Sequence, residues 1–153
     1  GPGLQQSFQR AVQLYERAAA QGHAEAQTNL GSCYGRGHSV ELDNKTTAQL
    51  YRRAAEQGYP PAQYSLGMMF FNGRGEAQSY EEAVKWFRLA AAQGDFRDAL
   101  YNLGTCSANG YGAPQDDHET LRLYKRAAAE AAAAIDKLKA YLARCAPLAA
   151  GAD

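Results

Sequence analysis

Charge of one dominant sign is missing from this sequence. Sixteen Lys and Arg balance sixteen Asp and Glu, so the formal net charge of the 153 residues is zero. Surfaces that follow a phosphate backbone carry a basic excess, so no nucleic-acid partner is expected. Also missing is an apolar run of about 20 residues, the length that spans a bilayer, and no direct membrane insertion is expected. Cysteine is sparse and odd in number. Cys33, Cys106 and Cys145 form neither a disulfide framework nor a zinc pattern and read as small apolar fillers. His23, His38 and His118 share no position and pair with no Cys or carboxylate at ligand spacing. Neither a metal, a cofactor nor a catalytic residue is expected.

What is present is repetition. The stretch LGMMFFNGRG (66–75) has the glycine density of a phosphate-cradling loop. Such a loop needs a strand before it and a helix directly after it, with Lys-Ser/Thr in nucleotide hydrolases, and none of that is here. The stretch is instead one copy of three. GHAEAQTNLG (22–31), GYPPAQYSLG (58–67) and GDFRDALYNLG (94–104) place Leu-Gly pairs at Gly31, Gly67 and Gly104, 36 and 37 residues apart. A second motif alternates with it: SFQRAVQLYERAAAQG (7–22), DNKTTAQLYRRAAEQG (43–58), SYEEAVKWFRLAAAQG (79–94) and DDHETLRLYKRAAAEA (116–131). A period of this length marks stacked supersecondary units.

Both motifs read as helices. In the Leu-Gly motif, Ala26, Leu30 and Tyr34 fall on one face, as do Ala62, Leu66 and Phe70. A glycine inside a helix costs about 1 kcal/mol against alanine, so Gly31, Gly67 and Gly104 need a packing reason, and close approach of a neighbouring helix is the natural one. The pairs Gly73/Gly75 and Gly110/Gly112 end these helices and turn the chain. In the second motif, Ser79 with Glu82 and Asp116 with Glu119 read as capping boxes, and Asp43, Asp116 and Asp117 as helix starts rather than general acids. Gly22, Gly58 and Gly94 close the second helices, whereas the fourth copy ends in Ala131.

The pattern Ala-x-x-x-Leu-Gly-x-x-Tyr-x-x-Gly-x-Gly, followed by a helix ending Ala-Ala-x-x-Gly, resembles the Sel-one-like repeat, a relative of the tetratricopeptide repeat. AQTNLGSCYGRGHS, AQYSLGMMFFNGRG and ALYNLGTCSANGYG carry it, and the resemblance covers residues 7–131. Ser39, Ser107 and Ala131 depart from the pattern at a loop glycine, the aromatic and the last turn glycine. The resemblance implies an all-α fold, an α-solenoid of antiparallel helix pairs with right-handed superhelical twist. The expected division is a scar and linker (1–6), a half repeat (7–22), repeats 23–58, 59–94 and 95–131, a capping helix (132–146) and a flexible tail (147–153). First-type helices are expected near 23–35, 60–72 and 95–109. With no breaker between Pro114 and Pro147, one long helix is the alternative to a helix plus cap.

By analogy with tetratricopeptide grooves, the first-type helices line the concave face. Counted from each Leu-Gly glycine, the groove positions give Glu25, Thr28, Ser32 and Arg36, then Tyr64, Met68, Phe71 and Asn72, then Asp98, Tyr101, Thr105 and Asn109. Tyr141 and Arg144 extend the line if the cap packs in phase. Tyr64, Met68, Phe71 and Tyr101 would make an apolar floor, with Asn29, Asn72, Asn102 and Asn109 available to a peptide backbone. The alternative for the tyrosines is that they buttress neighbouring helices. Arg52, Arg53, Arg122, Lys125 and Arg126 fall on the second helices and read as a solvated convex surface.

The resemblance implies a protein-interaction adaptor or scaffold that holds a protein or peptide partner, without covalent chemistry. A small hydrolase or cell-envelope-directed enzyme is a second reading, drawn from cysteine-rich relatives linked to β-lactam binding. Those relatives pair cysteines within repeats, which this chain does not. Self-association through exposed solenoid ends, using Leu4, Phe8 and the cap helix, is a third. The triplet Asn44-Lys45-Thr46 fits a glycosylation sequon at an accessible helix start. Cys33 and Cys106, two repeats apart, would lie about 20 Å from each other, too far to bridge, which mildly favours a reducing compartment.

Overall fold

The computed structural model describes residues 1–94 and 96–150, with side chains of the last helix described as far as Ala132 and then at positions 136, 139, 140 and 143. The described residues form seven helices and no strand: α1 (Pro2–Ala20), α2 (Ala24–Arg36), α3 (Asn44–Glu56), α4 (Pro60–Asn72), α5 (Tyr80–Ala92), α6 (Arg97–Asn109) and α7 (Asp117–Ala150). Each packs on its chain neighbours, most closely within the pairs α2–α3, α4–α5 and α6–α7. The arrangement is an α-solenoid.

One backbone device closes every pair. The first-type helices α2, α4 and α6 end on left-handed glycines, Gly37, Gly73 and Gly110 (φ 67°, 65° and 69°). The N-cap of the following helix then donates its N–H back to the first: Asp43 to the Tyr34 carbonyl (3.1 Å), Ser79 to Phe70 (3.0 Å) and Asp116 to Ser107 (3.2 Å). The cap side chains accept the N–H three residues on, from Thr46, Glu82 and Glu119. Ser79 therefore makes one arm of its capping box. Its own N–H goes to Phe70, and the Glu82 carboxylate lies instead 3.9 Å from Lys85.

The Leu-Gly glycines have their packing reason. A Cβ on Gly31, Gly67 or Gly104 would stand 2.9, 2.6 or 2.5 Å from the ring of Tyr51, Phe87 or Tyr124, the aromatic of the paired second-type helix. Gly31 lies against Leu50 and Tyr51 while Gly35 lies against Thr47, so the register is antiparallel. Phe87, Leu66 and Leu100 are fully buried, each side chain contributing about 1.5–3 kcal/mol of transfer free energy. Gly75 and Gly112 join successive repeats. They rest on the backbone carbonyls of Asn44 and Tyr80, the first residues of the preceding second-type helices, where a side chain has no room.

Both ends depart from the expected division. Residues 2–6, expected to be scar and linker, belong to α1, whose first turn accepts Pro2 because a helix start needs no N–H there. At the other end α7 is a single helix of 34 residues, so 132–146 do not fold back as a separate cap and 147–150, expected in a flexible tail, continue it. The cause is Ala131: without a left-handed glycine the helix does not stop. Leu121 is consequently 55% exposed, although its counterparts Ala48 and Val84 are buried. Residues 151–153 lie outside the described residues. No helix among the described residues is long and apolar enough to cross a membrane.

Candidate partner groove

The successive first-type helices α2 and α4 touch each other as well as their own partners. Between them opens a crevice of about 260 Å³. Its walls are Ser32, Gly35 and Arg36 of α2, Thr47 and Tyr51 of α3, Tyr64, Ser65, Met68, Met69 and Asn72 of α4, and Arg74 of the following loop. Five expected groove residues meet here: Ser32, Arg36, Tyr64, Met68 and Asn72.

Tyr51 reaches the crevice because Gly31 lets its ring pass. Burial pushes its phenol up from the ordinary value, and the Ser32 hydroxyl, Arg36, Arg74 and the Ser65 hydroxyl beside it pull in the opposite direction. Tyr64 is half-buried and does two things. Its ring packs 5.8 Å from Phe87 and 5.5 Å from Phe96, and its hydroxyl accepts a hydrogen bond from Asn102 of α6 (3.3 Å). It buttresses the next repeat and also lines the crevice.

Other expected groove residues do not join this crevice. Phe71 is the clearest correction: its ring packs 5.1 Å from Tyr80 and 6.1 Å from Tyr111, which stack on each other at 4.5 Å, so it fills the joint between the start of α5 and the loop after α6 and does not line this crevice. Thr28 donates to the Ala24 carbonyl of its own helix (2.8 Å) and Asn109 to the Thr105 carbonyl (2.8 Å). Thr105 bonds the Tyr124 hydroxyl at 3.1 Å. The Asn102 amide nitrogen donates to the Tyr64 hydroxyl and to the Asp98 carbonyl, so its donor side is engaged within the array. Glu25 stays exposed on the first turn of α2. Tyr101, 59% exposed, lines a separate depression with Asp98 and Tyr124. The side chains of Tyr141 and Arg144 lie outside the described residues.

The lining residues that the sequence did not single out for the groove include Tyr51, Ser65 and Arg74. A signal for the first existed, since Tyr51, Phe87 and Tyr124 recur opposite the three helical glycines. Arg74 donates to Asn44 Oδ1 (3.1 Å) and to the Gly35 carbonyl (3.4 Å), strapping one repeat to the preceding one. Asn44, the first residue of the sequon, is half-buried and accepts this strap through its amide oxygen.

A sequence model of the Sel1 repeat matches residues 1–23, 24–59, 60–95 and 97–131. The chain belongs to the Sel1 repeat family. Solved Sel1-type structures agree. A protective antigen of uropathogenic Escherichia coli with an SLR fold is 37% identical, with a TM-score of 0.75 over 78% of this chain and 25% of that one. A Sel1 repeat protein of Oxalobacter formigenes is 34% identical, with a TM-score of 0.74 over 80% of this chain and 50% of that one. This chain thus spans from a quarter to half the length of those two. Cysteine rich protein B of Helicobacter pylori shares the fold at 19% identity and a TM-score of 0.63, over 84% of this chain and 92% of that one. No curated protein matches. Sel1 repeat proteins are generally protein-interaction scaffolds without enzymatic activity. In this member burial pushes the Cys106 thiol up to about 11 and raises Cys33 as well, which disfavours the thiolate at both. Among the described residues no three His, Cys, Asp or Glu side chains converge to hold a metal.

Proposed function

We propose that this Sel1 repeat array is an adaptor or scaffold module that holds a protein or peptide partner in its concave groove, centred on the α2–α4 crevice. The observation that carries the reading is convergence. Residues placed on one line by repeat phase come together from two repeats around a single recess, with hydroxyls, an amide and a thioether at its surface. The array supplies a fixed surface held by its repeat joints, and the partner does the ordering. No bond is made or broken. A photo-crosslinking residue at Met68, against a control at exposed Arg53 on the opposite face, tests this in cell extract. A partner captured through position 68 and not 53 is expected. Capture through 53 alone sinks the groove assignment.

Self-association is a second reading with its own observation. Leu14 is 58% exposed, while Leu50, Trp86 and Leu123 at the same repeat position are buried. With Leu121 it leaves an apolar residue bare at each end of the array. Light scattering over a concentration range should show growth in mass; a constant monomer mass ends this reading.

A further inference from the structure

We propose that the α2–α4 crevice accepts an acidic side chain of the partner, an inference that rests on the groove reading above. Two cations line the crevice and no Asp or Glu does. Arg36, on the last turn of α2, is exposed and has no ion pair among the described residues. Arg74 donates only to neutral acceptors, the Asn44 amide oxygen and the Gly35 carbonyl. These hold the guanidinium in place and leave its charge uncompensated. Both charges act on one spot, because the Tyr51 hydroxyl in the crevice wall feels Arg36 and Arg74 together.

In a chain of zero net charge this pairing is a local arrangement, not the overflow of a basic surface. A carboxylate is the group it suits. Guanidiniums present paired N–H donors to a planar carboxylate, and Ser32 and Ser65 add hydroxyl donors beside them. Met68 offers an apolar wall to the methylenes that carry the acid. A lysine or arginine of a partner would meet two like charges and no acceptor of opposite sign.

The test is a selection. The full chain is panned against a random peptide display library, and the best binder is synthesised with an acetylated N-terminus and an amidated C-terminus. Enrichment of Asp or Glu is expected. Fluorescence anisotropy should show Arg36→Gln weakening the peptide about tenfold, as loss of one charge-assisted contact does. Raising salt from about 50 mM to about 500 mM should weaken the wild type more than the Arg36→Gln/Arg74→Gln double variant. Because Arg74 also straps two repeats, the double variant's melting temperature is measured alongside, and Arg36→Gln alone decides if it falls. Binders without acidic enrichment, indifferent to Arg36→Gln but weakened by Met68→Ala, would overturn the carboxylate and leave the groove standing. Binding lost on amidation would move the carboxylate from a side chain to the chain end and overturn the proposal as stated. Binders indifferent to all these changes, or none from a library that serves a control domain, would overturn both readings.

Discussion

Gln27 and Gln63 hold the same position on α2 and α4, and both are buried; on α6 the position is Leu100. The two joints built on glutamine are relays. Gln57 donates to Gln27 (2.8 Å), which donates to the Ala19 carbonyl at the end of α1 (3.3 Å). Gln93 donates to Gln63 (3.1 Å), which donates to the Ala55 carbonyl at the end of α3 (3.2 Å). Each relay adds a side-chain bond to a last-turn carbonyl that also accepts the N–H of the closing glycine, Gly22 or Gly58. In the last repeat Glu130 stands where Gln57 and Gln93 stand, α7 does not end there, and Leu100 needs no partner. The two members of the relay are absent together. Half a relay would bury an unsatisfied amide, which costs about 1–3 kcal/mol, whereas an apolar side chain in both places costs little. The inner joints are thus tied by buried glutamine relays, and the terminal one by apolar burial with the single Asn102–Tyr64 side-chain bond.

The glycine contact gives the largest way to break that comparison. Gly67→Ala drives a Cβ into the Phe87 ring, which is fully buried between repeats and has nowhere to move. A loss of about 2–4 kcal/mol is expected from chemical denaturation. Gly104→Ala meets Tyr124 at a similar distance, but that ring is half-buried on the last helix and is free to swing outward. About half the loss is expected there. Equal losses would show that the terminal repeat is as rigid as the inner one.

The relay itself comes next. Leu100→Gln buries an amide with no counterpart at position 130 and removes a fully buried leucine, for an expected loss of about 2–3 kcal/mol. Gln63→Leu should cost less, about 1–2 kcal/mol, because it loses the bonds to Ala55 and Gln93 yet gains apolar burial. If Gln63→Leu proves the worse of the two, register and not burial dominates the joint, and the last repeat is the exception that needs explaining. A smaller and opposite effect is expected at Ser39. It holds φ 60° where Gly75 and Gly112 hold 71° and 68°, so Ser39→Gly should relieve strain and stabilise the first repeat by about 1 kcal/mol. No gain in melting temperature would mean the Ser39 side chain offsets its own backbone cost.

Much of this was legible in the residues. The period, both helix types and the buried face follow from Leu-Gly and Ala-Ala spacing, and the need for close approach at Gly31, Gly67 and Gly104 follows from glycine's poor helix propensity. Which ring makes the approach was not legible, since Tyr51, Phe87 and Tyr124 lie on another helix. Groove phase named Ser32, Arg36, Tyr64, Met68 and Asn72, which line one recess, and also Phe71, which does not, because two adjacent phenylalanines exclude a shared core contact without saying where the second one goes. Tyr80 and Tyr111, in different repeats, decide that. The glutamines were hidden for a related reason: a polar residue on a helix reads as exposed until the carbonyl it satisfies is seen on the preceding repeat.

The smallest effect separates the caps of α3 and α5. Asp43 caps α3 through the Thr46 N–H (3.1 Å) and hydroxyl (2.7 Å), and these bonds hold its carboxyl below the ordinary range. Ser79 does the same work for α5 without a titrating group. A depressed carboxyl contributes stability that is present above its unfolded value, about 3.9, and is lost as pH falls through the lower folded value. Acid should therefore loosen the start of α3 before that of α5. Amide exchange at Thr46, referenced to Glu82, should accelerate through that window in the wild type and not in Asp43→Ser. Glu119 is depressed in the same sense by Arg122, whose guanidinium bonds both of its oxygens (2.8 and 2.7 Å), so the last repeat keeps an acid response that Asp43→Ser leaves untouched. A variant that removed the acid response everywhere at once would mean the array unfolds as one unit, and the difference between inner and terminal joints would then carry no energetic consequence.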